Sequence, residues 1–346
     1  MEYETFVRAI SGKYTKIKKS YIKYKKRCRK KYKVPEMKYT FIVNPNSRSG
    51  KGMVLWNLLK PELKKRRIEH EIFYTQYVGH ATEIARQVTA NGEEQILVVM
   101  GGDGSICEVL TGIQDFSKVI LGYIPTGSGN DFTREMKLPT KPKEAFELVL
   151  NPGKIAPMDV GEVMAGEHSW RFGVSTGIGF DAAVCHNVDR SRMKPFLNKI
   201  HMGHLVYLGV ALRRLFADAF YEVDITMEDG TKKQYKKAYF VAVMDQPYEG
   251  GGFRFCPDAK MDDGLLDVIV VSNIPRLKVL CLLPTAFAGK HTRFKGVDIF
   301  KCKEMNVKIN AKAPIHADGQ PVAVDNEMKV KVMEQQIRVI LPKDEK

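Results

Sequence analysis

The chain has no apolar run approaching the roughly 20 residues that a membrane span requires, and its N-terminus lacks the apolar core of a signal peptide. A cytoplasmic location is therefore the expectation. Its six cysteines, Cys28, Cys107, Cys185, Cys256, Cys281 and Cys302, lie far apart without a single C-x-x-C pair, and so read as reduced, mostly buried thiols. His201 and His204 have no third metal-type ligand at zinc spacing, and they read as surface or capping residues. Internal repeats and low-complexity segments are absent beyond the basic N-terminal stretch. What is present, 346 residues with 44% hydrophobic and 27% charged, is the composition of a soluble globular protein with room for two cores.

The net charge of +15 is not evenly spread. Residues 1–38 carry fourteen Lys/Arg against three Glu, or +11, which leaves +4 for everything after. Within them Tyr14, Ile17, Tyr21, Tyr24, Cys28 and Tyr32 recur at steps of three and four. On a helix this makes a tyrosine stripe flanked by cations, suited to lie on an anionic membrane. A solvated basic tail is the equal alternative for residues 1–37. No basic patch lies elsewhere, so nucleic acid is not an expected partner.

Pro35 marks a boundary, and residues 38–157 read as one domain. A strand at 38–43 runs into Asn44-Pro45-Asn46-Ser47-Arg48-Ser49-Gly50-Lys51-Gly52. A P-loop would need glycine at Pro45 and a hydroxyl at Gly52, so what remains is a cationic, amide-rich turn able to wrap phosphates. A helix over 56–67, a strand over 71–75 and a helix over 80–91 follow. The apolar run Ile96-Leu97-Val98-Val99-Met100 then enters Gly101-Gly102-Asp103-Gly104-Ser105, the pattern of a strand buried on both faces that turns tightly into a helix. Glycines there allow a polyanion close to the backbone, and the helix start favours negative charge. Asp103 would repel that anion unless a cation or a hydroxyl lies between, which points to phosphoryl transfer. A second strand, 119–124, ends in Pro125-Thr126-Gly127-Ser128-Gly129-Asn130-Asp131. Thr126 and Ser128 can donate to phosphate oxygens, Asn130 can read a purine or ribose edge, and Asp131 can cap the next helix. The β-α-β order predicts a Rossmann-like parallel sheet with both loops at one edge.

Residues 158–346 change to alternating strands, at 162–164, 170–175, 222–227, 234–243, 265–271, 305–310, 322–324 and 329–332, interrupted by apolar helices over 204–216 and 277–288. An antiparallel β-sandwich is the expectation. The Asp258-Ala259-Lys260-Met261-Asp262-Asp263-Gly264-Leu265 stretch reads equally as a hairpin turn or a metal loop. A homodimer through this domain is left open.

Seven motifs in order resemble the diacylglycerol kinase catalytic domain family, especially its soluble bacterial lipid kinases, which are similar to sphingosine and ceramide kinases. They are Asn44-Pro45 with Gly50, Gly101 to Ser105, Pro125 to Asp131, Met158-Asp159-Val160-Gly161, Gly177-Ile178-Gly179-Phe180-Asp181, Asp258 to Asp267, and Ala317-Asp318-Gly319. The resemblance covers residues 39 to about 340. It implies ATP in a cleft between the two domains, with the γ-phosphoryl group passed to a lipid hydroxyl. Nucleotide would be bound by Gly101, Gly102, Gly104, Ser105, Thr126, Gly127, Ser128 and Asn130, with Asn44, Pro45, Ser47 and Gly50 nearby. A structural magnesium would be held by the Asp263 carboxylate and the carbonyls of Lys260 and Leu265. Asp318 takes the place of the general base, and Asp103, Asp131 and Asp159 that of an acidic network holding magnesium and water around the phosphates. The chain departs from some members at Gln320, where they carry an acid, and sphingosine kinases give the base role to the aspartate at the position of Asp103.

The reading is an ATP- and magnesium-dependent lipid kinase on the inner membrane surface, with diacylglycerol as acceptor. A NAD kinase, which shares the Gly-Gly-Asp-Gly turn, and a non-catalytic lipid or nucleotide sensor are the rivals.

Overall fold

A computed structural model of the protein describes residues 37–190, 210, 213–217 and 219–344. The expected docking helix of the basic tail lies outside the described residues, as does most of the apolar helix expected over 204–216.

The first sheet has six strands in the order β2-β1-β3-β4-β17-β5. Its centre is β3 (Gln95–Gly101) and β4 (Val119–Pro125), both wholly buried, as their unbroken apolar runs demand. They pair in parallel with Gly101 opposite Pro125, so the two glycine loops leave the sheet at one level. β1 (Lys38–Val43) and β2 (His70–Tyr74) extend the parallel set. On the other flank the chain's last strand, β17 (Ile337–Leu341), returns to pair in parallel with β4, and β5 (Lys154–Met158) closes the edge antiparallel to it. Neither β5 nor β17 was expected. β5 carries Pro157 and half-exposed residues, and β17 joins a sheet made 200 residues earlier, beyond the reach of local pattern.

Helices pack around this sheet: α1 (Ser47–Lys65), α2 (His80–Thr89), α3 (Asp103–Gly112), the single turn α4 (Phe132–Glu135) and α5 (Pro142–Leu150). α1 begins nine residues before the expected start at 56, because the cationic turn is itself the helix's irregular first turn, with Arg48 at φ 51° and Gly50 at φ 87°.

The second sheet is antiparallel and holds nine strands. Its frame is two long strands, β10 (Lys232–Met244) and β15 (Glu304–Ala317), the latter hairpinned to β16 (Gln320–Val332). β8 (Ser175–Gly179) and β9 (Tyr221–Met227) both lie between β10 and β15, one at each end. The sequence expectation broke β15 and β16 into fragments because proline and polar residues interrupt their alternation; a register shift between Lys308 and Ala313 absorbs the interruption. β6 (Gly161–Ala165) and β7 (His168–Phe172) extend one edge; β13 (Leu266–Ser272) and β14 (Val297–Cys302) form the other.

Each sheet has its own apolar core, around Leu97, Val99, Leu110 and Leu121 in the first and Val243, Val268, Val307 and Ile315 in the second. Arg171 of β7 fastens one to the other. Its guanidinium donates to the carbonyls of Leu110 (3.2 Å) and Ile113 (2.6 Å), where α3 ends and free carbonyls favour a cation. Among the described residues no helix is long and apolar enough to cross a membrane.

Candidate active site

Three loops meet at the carboxyl edge of the parallel sheet. Asn44 N–H donates to Met100 O (2.9 Å), and Thr126 N–H to Gly101 O (2.8 Å), so all three stay in register with β3 as they leave it. Side chains then join them. The Ser47 and Thr126 hydroxyls lie 2.7 Å apart, Ser47 donates to Asn44 O (2.9 Å), and Asn44 Nδ2 reaches Ser105 Oγ (3.4 Å). Glycine is required by close approach: a Cβ on Gly127 would lie 2.7 Å from Gly102 Cα, and one on Gly52 would lie 2.3 Å from Asn44 O. There is therefore no room at Gly52 for the hydroxyl of a P-loop. The result is a backbone-walled cradle beside the start of α3, of the kind that takes phosphates.

The expected nucleotide residues divide in this cradle. Gly101, Gly102 and Gly127 form its wall, and Ser128 is exposed at the loop tip. Thr126 is buried and committed to Ser47. Asn130, at φ 52°, turns its amide back on its own loop, accepting from Gly127 N–H (3.0 Å) and donating to Gly127 O (3.2 Å). Its position makes it a clamp of the loop. Gly104 lies against Gln320, and Pro45 and Gly50 belong to the α1 entry.

Asp103 links the two glycine loops, its carboxylate accepting the N–H groups of Asp131 and Phe132 at 3.2 Å each. Burial and the charge of Asp131 push its carboxyl up to about 7. Asp131 in turn reaches across to the second sheet's side. It accepts from Gly251 N–H (2.9 Å) and pairs with Arg134 (2.9 Å), which donates to Gly251 O (3.0 Å).

Asp318 occupies the β15–β16 turn at φ 47°, followed by Gly319 at φ 73°. Its carboxylate is fixed by three backbone donors, Gly173 (3.0 Å), Val174 (2.8 Å) and Ser175 (3.1 Å). Burial pushes it up to about 6, against the pull of those amides. Asp318 also contributes to raising Asp103, so the two carboxylates lie within electrostatic reach of each other. The turn is braced on α3, where Gln320 Nε2 meets Glu108 Oε1 (3.3 Å).

Asp159 stands apart from Asp103 and Asp131. It accepts from Gly264 N–H (2.7 Å) and Gln336 Nε2 (2.8 Å), and so anchors the 260s loop. Beside it the fold adds Asp245, which follows β10 and which no sequence motif singled out. Asp245 is buried, neither of its oxygens has a hydrogen-bond partner among the described residues, and burial with Asp159 and Asp318 pushes its pKa far up. The unpartnered Asp245 carboxylate, with the Asp159 charge near it, offers oxygen donors of the kind a hard divalent cation would take. Asp263 is already engaged: Lys301 Nζ lies 2.8 Å from it and 3.3 Å from Asp267, and Leu265 N–H donates to it (3.1 Å). Lys260 is exposed on the same loop.

A second feature is a buried cluster under the Asp318 turn, in which Asp181 belongs to one of the seven motifs and Glu249 to none. His316 Nε2 lies 3.2 Å from Asp181 and 3.3 Å from Glu249. Burial alone would depress the imidazole, but the two carboxylates hold its proton and carry it up to about 9.

Both halves of the chain match known families. The pattern of the diacylglycerol kinase catalytic domain matches residues 38–163, and that of the YegS C-terminal NAD kinase beta sandwich-like domain matches residues 174–341. A diacylglycerol kinase of Mycobacterium tuberculosis H37Rv is 31% identical over 296 residues, covering 82% of this chain and 88% of its own. A diacylglycerol kinase of Staphylococcus carnosus is 27% identical over 316 residues, covering 88% and 95%. A crystal structure of a diacylglycerol kinase from Bacillus anthracis shares the fold, with a TM-score of 0.68 at 21% identity over 88% of this chain and 97% of its own. With both halves matched and the glycine cradle in place, the chain belongs to the diacylglycerol kinase catalytic domain family.

Proposed function

We propose that the protein is an ATP- and magnesium-dependent kinase whose acceptor is the hydroxyl of a membrane lipid, diacylglycerol giving phosphatidic acid. Residues 38–157, completed by β17, bind nucleotide, and the antiparallel domain between them presents the lipid. The protein works peripherally at the inner membrane face. The observation that carries this reading is Asp318, a buried carboxylate fixed by three amides, raised to about 6 and electrostatically joined to Asp103 at the glycine cradle.

The cradle of Gly101, Gly102 and Gly127 orients the phosphates by backbone N–H groups, with Ser128 available from the tip. ATP with its magnesium supplies the phosphoryl donor and the charge neutralisation. Asp159 and Asp245 would hold a divalent cation, which would supply neutralising charge beside the phosphates. Asp103 keeps the two loops at fixed separation. Asp318 accepts the proton of the lipid hydroxyl on a carboxylate oxygen as the bond to phosphorus forms; a base titrating near 6 is ionised at neutral pH yet more basic than an ordinary aspartate.

The test is phosphate transfer from ATP to diacylglycerol in mixed micelles with magnesium. Phosphatidic acid as product supports the reading. Phosphorylated NAD with no lipid product replaces it with the soluble-acceptor alternative.

A further inference from the structure

Helix α6 (Arg276–Phe287) lies on the second sheet's side with its buried face, Leu282 and Ala286, turned inward and with Phe287 stacked on Phe253 at 4.1 Å. Its outward face is also apolar. At 100° per residue Leu277, Cys281, Pro284 and Ala288 fall within one narrow stripe, and all four are exposed, with Leu277 at 71%. Phe287, 53% exposed, borders the stripe. A helix apolar on both its buried and its outward stripe belongs against a partner as well as a core.

Charge identifies the partner. From 273 to 297 the chain has five cations, Arg276, Lys278, Lys290, Arg293 and Lys295, and no Asp or Glu. Lys278, Lys290, Arg293 and Lys295 are exposed, and with them Phe294 after the short 3-10 turn Lys290–Arg293. An exposed apolar stripe whose own segment carries five cations and no acid matches an anionic bilayer, with the apolar residues entering the acyl boundary and the cations meeting lipid phosphates. A second copy of this chain would have to bring an acidic counterpart. We infer that the outward face of residues 276–295 is a membrane-docking surface for anionic lipid, separate from the basic N-terminal tail.

The inference stands on this surface and not on the catalytic reading, and its test needs no ATP. In the full chain, Leu277→Trp is titrated with phosphatidylglycerol vesicles and with phosphatidylcholine vesicles. The added tryptophan fluorescence, taken against the unsubstituted protein, should shift to the blue with the anionic vesicles alone. Leu277→Asp/Cys281→Asp should weaken vesicle partitioning at least tenfold while the melting temperature stays near that of the unsubstituted chain. Sedimentation with vesicles but no blue shift would mean that another segment does the docking, and it overturns the inference. So does a blue shift without vesicles that grows with protein concentration, which would assign the face to a second copy.

Discussion

Asp103 accepts the backbone N–H of Phe132 at 3.2 Å, so the aspartate of the first glycine loop is the cap of the helix that ends the second. The same carboxylate that would repel phosphate thus sets the width of the phosphate cradle. Asp103→Ala removes both capped N–H contacts and should cost about 1–2 kcal/mol of stability. It should also weaken ATP binding, measured by calorimetry. Asp103→Asn keeps an acceptor oxygen and should retain much of the stability and of the ATP binding.

Gln320 is matched to Glu108, which accepts from it at 3.3 Å and also from Ala81 N–H at 3.1 Å. Restoring the acid that some relatives carry, by Gln320→Glu, sets two carboxylates against each other. Stability at pH 7 should fall by about 1 kcal/mol, and Glu108→Gln in the same chain should recover it. Urea unfolding of the two variants checks this.

The His316 cluster predicts a pH dependence of stability. The imidazole is raised from its ordinary value to about 9, so its stabilising contribution is complete below about 6.5 and is lost as pH rises through 9. Glu249, raised to about 7 chiefly by burial, acts in the same direction, because ionising it in the folded state becomes a cost as pH rises. Urea midpoints should decline between pH 6 and 10, by on the order of 2 kcal/mol, and His316→Gln should flatten the decline.

Lys301 is the cation that Asp263 and Asp267 already have. Lys301→Met leaves both carboxylates facing each other without it. The variant's melting temperature should rise with added magnesium by more than that of the unsubstituted protein, in the absence of nucleotide.

The glycine loops were legible in the sequence because a strand buried on both faces and a tight turn are local events, written in runs such as Ile96–Gly102. The acidic and imidazole groups around them were only partly so. Asp318 was placed by its motif, yet the three amides that fix it come from residues 173–175, some 140 positions earlier. Asp245 and Glu249 follow an ordinary apolar strand, and nothing local says that their carboxylates are buried beside Asp159 and His316. For the same reason β17 was missed, since pairing with β4 is decided by the closed sheet and not by its own five residues. Asn130 was legible as a polar loop residue, but the turn of its amide onto Gly127 by a left-handed backbone was not.

The central claim is that Asp318 takes the lipid proton, and its most direct measurement is kcat/KM for phosphate transfer from ATP to diacylglycerol across pH 5–9, beside Asp318→Asn. The base must be ionised, so the rate should rise through one ionisation near pH 6 and level off above it. Asp318→Asn should bind ATP normally and lose turnover by a factor on the order of 100 or more. Turnover within a few-fold of the unsubstituted enzyme in Asp318→Asn, with the rise near pH 6 intact, would contradict the account and move the base elsewhere.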